Sequence, residues 1–149
     1  MWQKSSDVFI ALNSPVAGYE NNAPGVHIPI PLFIVRANYK GGIHPGKLAY
    51  GFGAYIPWGG KEHICREFEV YVGHVKWARV HGRAIPAGAI QAGEEADGKK
   101  LYVARAKFPN GLFVGKAGTH LWKGGSFSYQ NREWHVEDYE VLVGDYVTL

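Results

Sequence analysis

The chain has 149 residues, of which 14% are aromatic and 20 are glycine, a mixture that suits many short strands and tight turns. Its formal charge is +3, and the 16 lysines and arginines are scattered among 13 acids without a run or a basic face, which excludes the concentrated patch that nucleic-acid binding needs. No stretch approaches the roughly 20 apolar residues of a membrane-spanning helix, and the apolar run at residues 8–12 is shorter than the roughly 7–15 residues of a secretory signal core.

The expectation is therefore a protein without a membrane span, either cytoplasmic or released without a signal peptide. A single cysteine, Cys65, leaves no intramolecular disulfide. It stands near His63 in "KEHICREF", but a lone cysteine in an alternating strand reads as a small packed residue rather than a nucleophile.

In chain order, the prolines between residues 24 and 31 mark a loop or an edge. "LFIVRANY" at 32–39 then alternates with period two, placing Phe33, Val35, Ala37 and Tyr39 on one face of a half-buried strand. Gly41-Gly42 supplies a turn able to take positive φ, and "FEVYV" at 68–72 is a further strand with Phe68, Val70 and Val72 inward. Pro57 and Pro86 mark edges or bulges, and Asp97-Gly98 reads as a turn. "LYVARAKF" at 101–108 is a second alternating strand, with Tyr102, Ala104, Ala106 and Phe108 on one face and Asn110-Gly111 as its turn. "YEVLV" at 139–143 closes the series. Nothing longer than a few residues keeps a helical period, so the predicted class is all-β, with short antiparallel strands and little or no helix.

The series is said twice. Arg36 and Arg105 stand 69 residues apart, as do Lys47 and Lys116. "GKEHICREFEVYVG" at 60–73 matches "NREWHVEDYEVLVG" at 131–144 with an offset of 71, pairing Glu62 with Glu133 and Glu69 with Glu140. Trp2 and Trp77 open the copies, and a two-residue insertion in "LWKGGS" accounts for the change of offset. The chain reads as two tandem units, 1–75 and 76–149, related by a pseudo-two-fold axis. An arginine within a sheet wants a carboxylate, so Arg36 and Arg105 are expected to pair with the recurring Glu62 and Glu133. Glu69 and Glu140 are expected to be structural.

The residues "IPAGAIQAG", "LYVARA", "VGK" and "YEVLVG", with "LFIVRA", "HPGK", "PWGGKEH" and "FEVYVG" in the first unit, resemble the DM9 repeat over nearly the whole chain. The compact two-repeat members it resembles are mannose-binding lectins that use no metal and associate as dimers. The resemblance implies a homodimeric, metal-independent lectin for mannose or high-mannose glycans, with a role in recognising microbial or host surfaces in innate immunity and no cofactor. Its sugar contacts would be an acid shortly after an Ala-Gly and the lysine of the Gly-Lys ending. In the second unit these are Glu95 and Lys116; in the first, Lys47 and, from "AGYE", Glu20. Gly18 lies 18 residues before Arg36, whereas Gly93 lies 12 before Arg105. Either six residues follow Glu20 as an insertion, or its counterpart is the acid-free "APGVHI". Glu62 is also placed to reach a sugar or to orient Lys47.

The chemistry suits such a ligand. A hexose presents vicinal hydroxyls that both donate and accept; a carboxylate accepts from two of them while an ammonium donates to the same oxygens. His44, Tyr55, Trp58 and Trp122 are candidates to cover its C–H face. Both lysines are expected at exposed strand ends. The seven histidines form no H-E-x-x-H pair or Cys/His cluster, so no metal site is expected. Glu94 and Glu95, adjacent on a strand, point to opposite faces and make no glycosidase pair. Enzymatic activity is not expected; the competing readings are a protein-interaction module and, more remotely, a glycosidase.

Overall fold

The computed structural model describes residues 1–9 and 13–144, so the predicted apolar run at 8–12 lies for the most part outside the described residues. Among those residues the chain is all-β, with fourteen strands and no helix. The first unit contains β1 (Trp2–Ser5), β2 (Val16–Glu20), β3 (Ile30–Tyr39), β4 (Gly42–Ala49), β5 (Gly53–Trp58), β6 (Lys61–Cys65) and β7 (Phe68–Tyr71). The second repeats the set as β8 (Trp77–His81), β9 (Gln91–Glu94), β10 (Lys100–Phe108), β11 (Gly111–Ala117), β12 (Gly125–Tyr129), β13 (Arg132–Val136) and β14 (Asp138–Leu142).

The strands pair in the order β1-β7-β3-β2-β11-β12-β13-β6-β5-β4-β9-β10-β14-β8, with β3–β4 and β10–β11 joined as hairpins as well. Exchanging each strand for its counterpart seven places away gives the same order read in reverse, which is consistent with a pseudo-two-fold relation between the units. The units are interlaced: β2 of the first pairs with β11 of the second, and β9 of the second pairs with β4 of the first. Along one edge, β4 meets β9 at Ile43 and β5 from Lys47 to Ala49; β11 likewise meets β2 at Gly111–Leu112 and β12 at Lys116–Ala117.

Glycine makes these junctions possible. A Cβ on Gly18 would strike the carbonyl oxygen of Leu112, and one on Gly93 the carbonyl oxygen of Ile43, where each unit crosses the other. A Cβ on Gly46 would strike Tyr55 O, and one on Gly115 would strike Ser126 O. The glycine of each Gly-Lys therefore lets the next strand approach, and the lysine that follows is buried.

Two expectations about the hairpins change. In the first copy the two-residue turn is Lys40-Gly41, both at positive φ (49° and 80°), and Gly42 already begins β4. In the second it is Pro109-Asn110, neither at positive φ, because a proline suits the first corner of a turn with ordinary φ. The alternating face also proves incomplete. Leu32 and Ile34, like Leu101 and Val103, are buried together with Phe33 and Val35, because the first halves of β3 and β10 have core on both sides. Only beyond Arg36 and Arg105 does one face open, at Asn38 and Lys107.

The arginines take partners other than those expected. Arg36 Nε donates to Glu69 Oε1 (2.8 Å) and Arg105 Nε to Glu140 Oε1 (2.9 Å). In each case the two residues face each other in register on neighbouring strands, whereas Glu62 and Glu133 lie at the lysines. Each guanidinium covers the tryptophan that opens its unit, 4.3 Å from the ring centre of Trp2 or Trp77. Each also donates across the interlaced boundary, Arg36 to Ala92 O (3.0 Å) and Arg105 to Ala17 O (3.1 Å).

Candidate functional site

Lys47 projects from β4 and is 3% exposed, contrary to the expected solvated strand end. A buried ammonium needs acceptors close by, and both units supply them. Nζ donates to Ser128 O of β12 (2.8 Å), with Glu62 Oε2 at 3.2 Å and Glu20 Oε1 at 3.6 Å. It also lies 5.0 Å from the ring centre of Phe113 and 5.9 Å from those of Tyr55 and Tyr129. The two carboxylates, together with burial, push the Tyr55 phenol above its ordinary range, with burial the larger cause. Glu62 Oε2, buried beside the ammonium, accepts no hydrogen bond.

Lys47, Glu20, Glu62, Tyr55 and Tyr129 border a cleft of about 440 Å³ that also runs past Asn22, Phe52 and Asn131. The structure thus brings Lys47, Glu20 and Glu62 together and settles the alternative left by the sequence. Gly18 and Gly93 occupy matching crossings, so Glu20 corresponds to Glu95 and the insertion follows it; the segment "APGVHI" lies in the connection between β2 and β3.

The second lysine sits in a different setting. Lys116 is 1% exposed, and its Nζ donates to Nδ1 of His44 (3.0 Å), a residue of the first unit that is itself 1% exposed. His44 Nε2 lies 4.0 Å from Glu95 Oε1, and Glu95 Oε2 accepts from His120 Nε2 (2.8 Å). Glu133 accepts from the Ser126 hydroxyl and from the Gly60 backbone N–H. Burial holds the Lys116 ammonium below its ordinary pKa, opposed by Glu95 and Glu133. Burial, then the Lys116 charge, lowers His44 to about 4. The three predicted site acids, Glu20, Glu62 and Glu95, therefore gather around the two lysines, and Glu133, expected at Arg105, joins them.

The aromatic candidates divide. Tyr55 borders the Lys47 cleft and His44 contacts Lys116, whereas Trp58 packs edge-on against Tyr39 and Trp122 is 68% exposed beside His135. Tyr129, Phe113 and His120 were not singled out in the sequence, since they reach the lysines through pairings between units or through a loop. The only sequence signal was their place in the repeat: Phe113 matches His44 at the offset of 69, and Tyr129 matches Trp58 at 71.

Cys65 is inert by environment, burial raising its thiol to about 11. The His63 ring is occupied by the Tyr39 hydroxyl (3.0 Å) and Trp58 O (2.8 Å). Among the described residues no group of three or more His, Cys, Asp or Glu side chains could hold a metal ion, and no helix is long and apolar enough to cross a membrane.

The family model of the DM9 repeat matches residues 29–136. No curated protein matches the chain.

Proposed function

The chain belongs to the DM9 repeat family, and from this premise we propose that it is a carbohydrate-binding protein that recognises mannose-containing glycans without a metal ion, not an enzyme. The observation that carries this reading is the Lys47 ammonium held against Glu20 and Glu62 at the edge of an open cleft. A neighbouring pair of sugar hydroxyls can donate to the carboxylates and accept from the ammonium, and Tyr55 and Tyr129 offer ring faces for the sugar's C–H surface. Lys116 with Glu95 forms the corresponding site in the second unit, with His44 and His120 occupying part of its hydrogen-bonding capacity.

Single-sugar contacts of this kind are weak, and two sites per chain, doubled in a homodimer, would convert them into avidity. Exposed apolar side chains such as Ile64 (63%) and Trp122 (68%) support self-association. The test is a glycan array with and without EDTA, beside light scattering of the free protein. Mannose-type hits that survive chelation are expected; an array without hits would indicate a protein-interaction module instead.

A further inference from the structure

Glu20 and Glu95 stand at matching places, but the chain leaves them differently. Gly18 pairs with Leu32 across β2–β3, whereas Gly93 pairs with Leu101 across β9–β10, so the first connection is six residues longer. In the second unit the return is tight: Glu95 N–H donates to Lys99 O and Gly98 N–H to Glu95 O, both at 2.9 Å.

The longer connection, residues 21–29, is built into the fold. Asn21 N–H donates to Asn110 O of the other unit (2.8 Å) and Val26 N–H to Ala23 O (2.9 Å). Ala23 is buried in the core and Val26 packs against it. So anchored, the connection raises Asn22 and Pro24 as one wall of the Lys47 cleft. Phe52, 51% exposed, stands on the same cleft, and the turn Gln130-Asn131 of the second unit completes it. Both turn residues take positive φ (52° and 63°), which aims the turn at Glu62: Asn131 N–H faces Glu62 Oε1 at 3.4 Å.

The cleft is thus larger than one pyranose ring needs, and its outer part offers exposed amides and an aromatic face. That combination suits a second sugar: amides donate to and accept from hydroxyls, and an aromatic ring covers C–H groups. We propose that residues 21–29 and Phe52 make the first unit an oligosaccharide site, binding a second sugar residue beyond the one at Lys47, while the second unit has only the single-sugar part. The inference rests on the carbohydrate reading of the Lys47 cleft.

The test is calorimetry on the full chain with methyl α-mannoside and an α-linked mannotriose, comparing the parent with the double variant Asn22→Ala, Phe52→Ala. The parent should bind the trisaccharide about tenfold more tightly than the monosaccharide, and the variant should lose that margin while keeping its monosaccharide affinity within about twofold. Equal affinity of the parent for both sugars overturns the inference but leaves the lectin reading intact. So does a variant in which the margin persists. If the parent binds neither sugar, the carbohydrate reading fails and the subsite with it. Both substituted residues are exposed, but Asn22 takes a positive φ (61°) that alanine strains, so a small fall in Tm with the fold retained is expected; a variant that unfolds is replaced by Phe52→Ser alone, read in the same way.

Discussion

Lys116 donates to His44 at 3.0 Å, while Lys47, at the matching place in the other unit, lies 5.0 Å above the ring of Phe113. His44 and Phe113 are themselves counterparts, 69 residues apart. Each lysine is therefore backed by the same position of the opposite unit, once by an imidazole and once by a hydrocarbon ring, and the two sites differ in their response to acid.

The pH dependence follows from His44. Its pKa is about 4 in the folded protein against 6.5 for the free side chain, so the unfolded chain binds the extra proton first as pH falls. The stability associated with a neutral His44 is complete above 6.5 and declines toward 4, by ~3 kcal/mol at most. Lys116, Glu95, His120 and Glu133 face the same pocket, and Lys116 is the neighbour that opposes protonation. Thermal melts at pH 7.5 and 5.0 should show a fall in Tm that His44→Phe reduces. An equal fall in parent and variant would exclude His44 as the source.

Removing a lysine is expected to affect both binding and folding. Lys47→Ala takes a charge-assisted contact from the sugar, roughly a ten- to hundredfold loss at that site. It also leaves Glu20 and Glu62 without their shared cation. The cost to stability should lie between the ~1 kcal/mol of a surface pair and the ~3–5 kcal/mol of a buried one. Lys116→Ala should act likewise on the second site, and the double variant should lose mannan binding. Urea unfolding beside calorimetry separates the two effects; a folded double variant with parental mannan affinity would show that the lysines are structural only.

The Gly-Lys glycines can be tested independently of any ligand. Gly46→Ala and Gly115→Ala place a methyl group against backbone, at Tyr55 O and Ser126 O. A loss of about 2 kcal/mol or more is expected for each. Gly59→Ala meets open space but strains a φ of +63°, and should cost nearer ~1 kcal/mol. Ranking the three by chemical denaturation checks the close approach, and equal losses would contradict it.

Arg105→Lys keeps the charge but loses the flat contact on Trp77 and the fixed fork that reaches both Glu140 and Ala17 O. A destabilisation of about 1 kcal/mol is expected, and Glu140→Gln in the same background should add little. Full additivity of the two substitutions would mean that the pair does not act as a unit.

The strands and the repeat were legible because period-two alternation and a fixed offset are local properties of the chain. The charged cluster was legible in part, since Lys47, Lys116, Glu20, Glu62 and Glu95 could be named, whereas Glu133 was expected at an arginine. Their burial was not. The oxygen that accepts from Lys47 belongs to Ser128, 81 positions away, and no local pattern reveals it. The same limit misassigned the arginine partners: Glu62 and Glu69 both recur, and only the register of β3 on β7 separates them.

The crossing of β2 onto β11 and of β9 onto β4 has a consequence for how such a chain could arise. A polypeptide carrying one copy could pair β2 with its own β3 but would find no strand within itself for the other edge of β2, and could cover that edge only by exchanging arms with a second molecule. The tandem chain resembles that swapped pair with a covalent tether, which replaces an encounter between molecules by a high effective concentration. On this view duplication did more than add a second lysine cluster: it removed the dependence of folding on protein concentration, and it freed the two copies to diverge at His44 and Phe113 and in the length of the segment after Glu20.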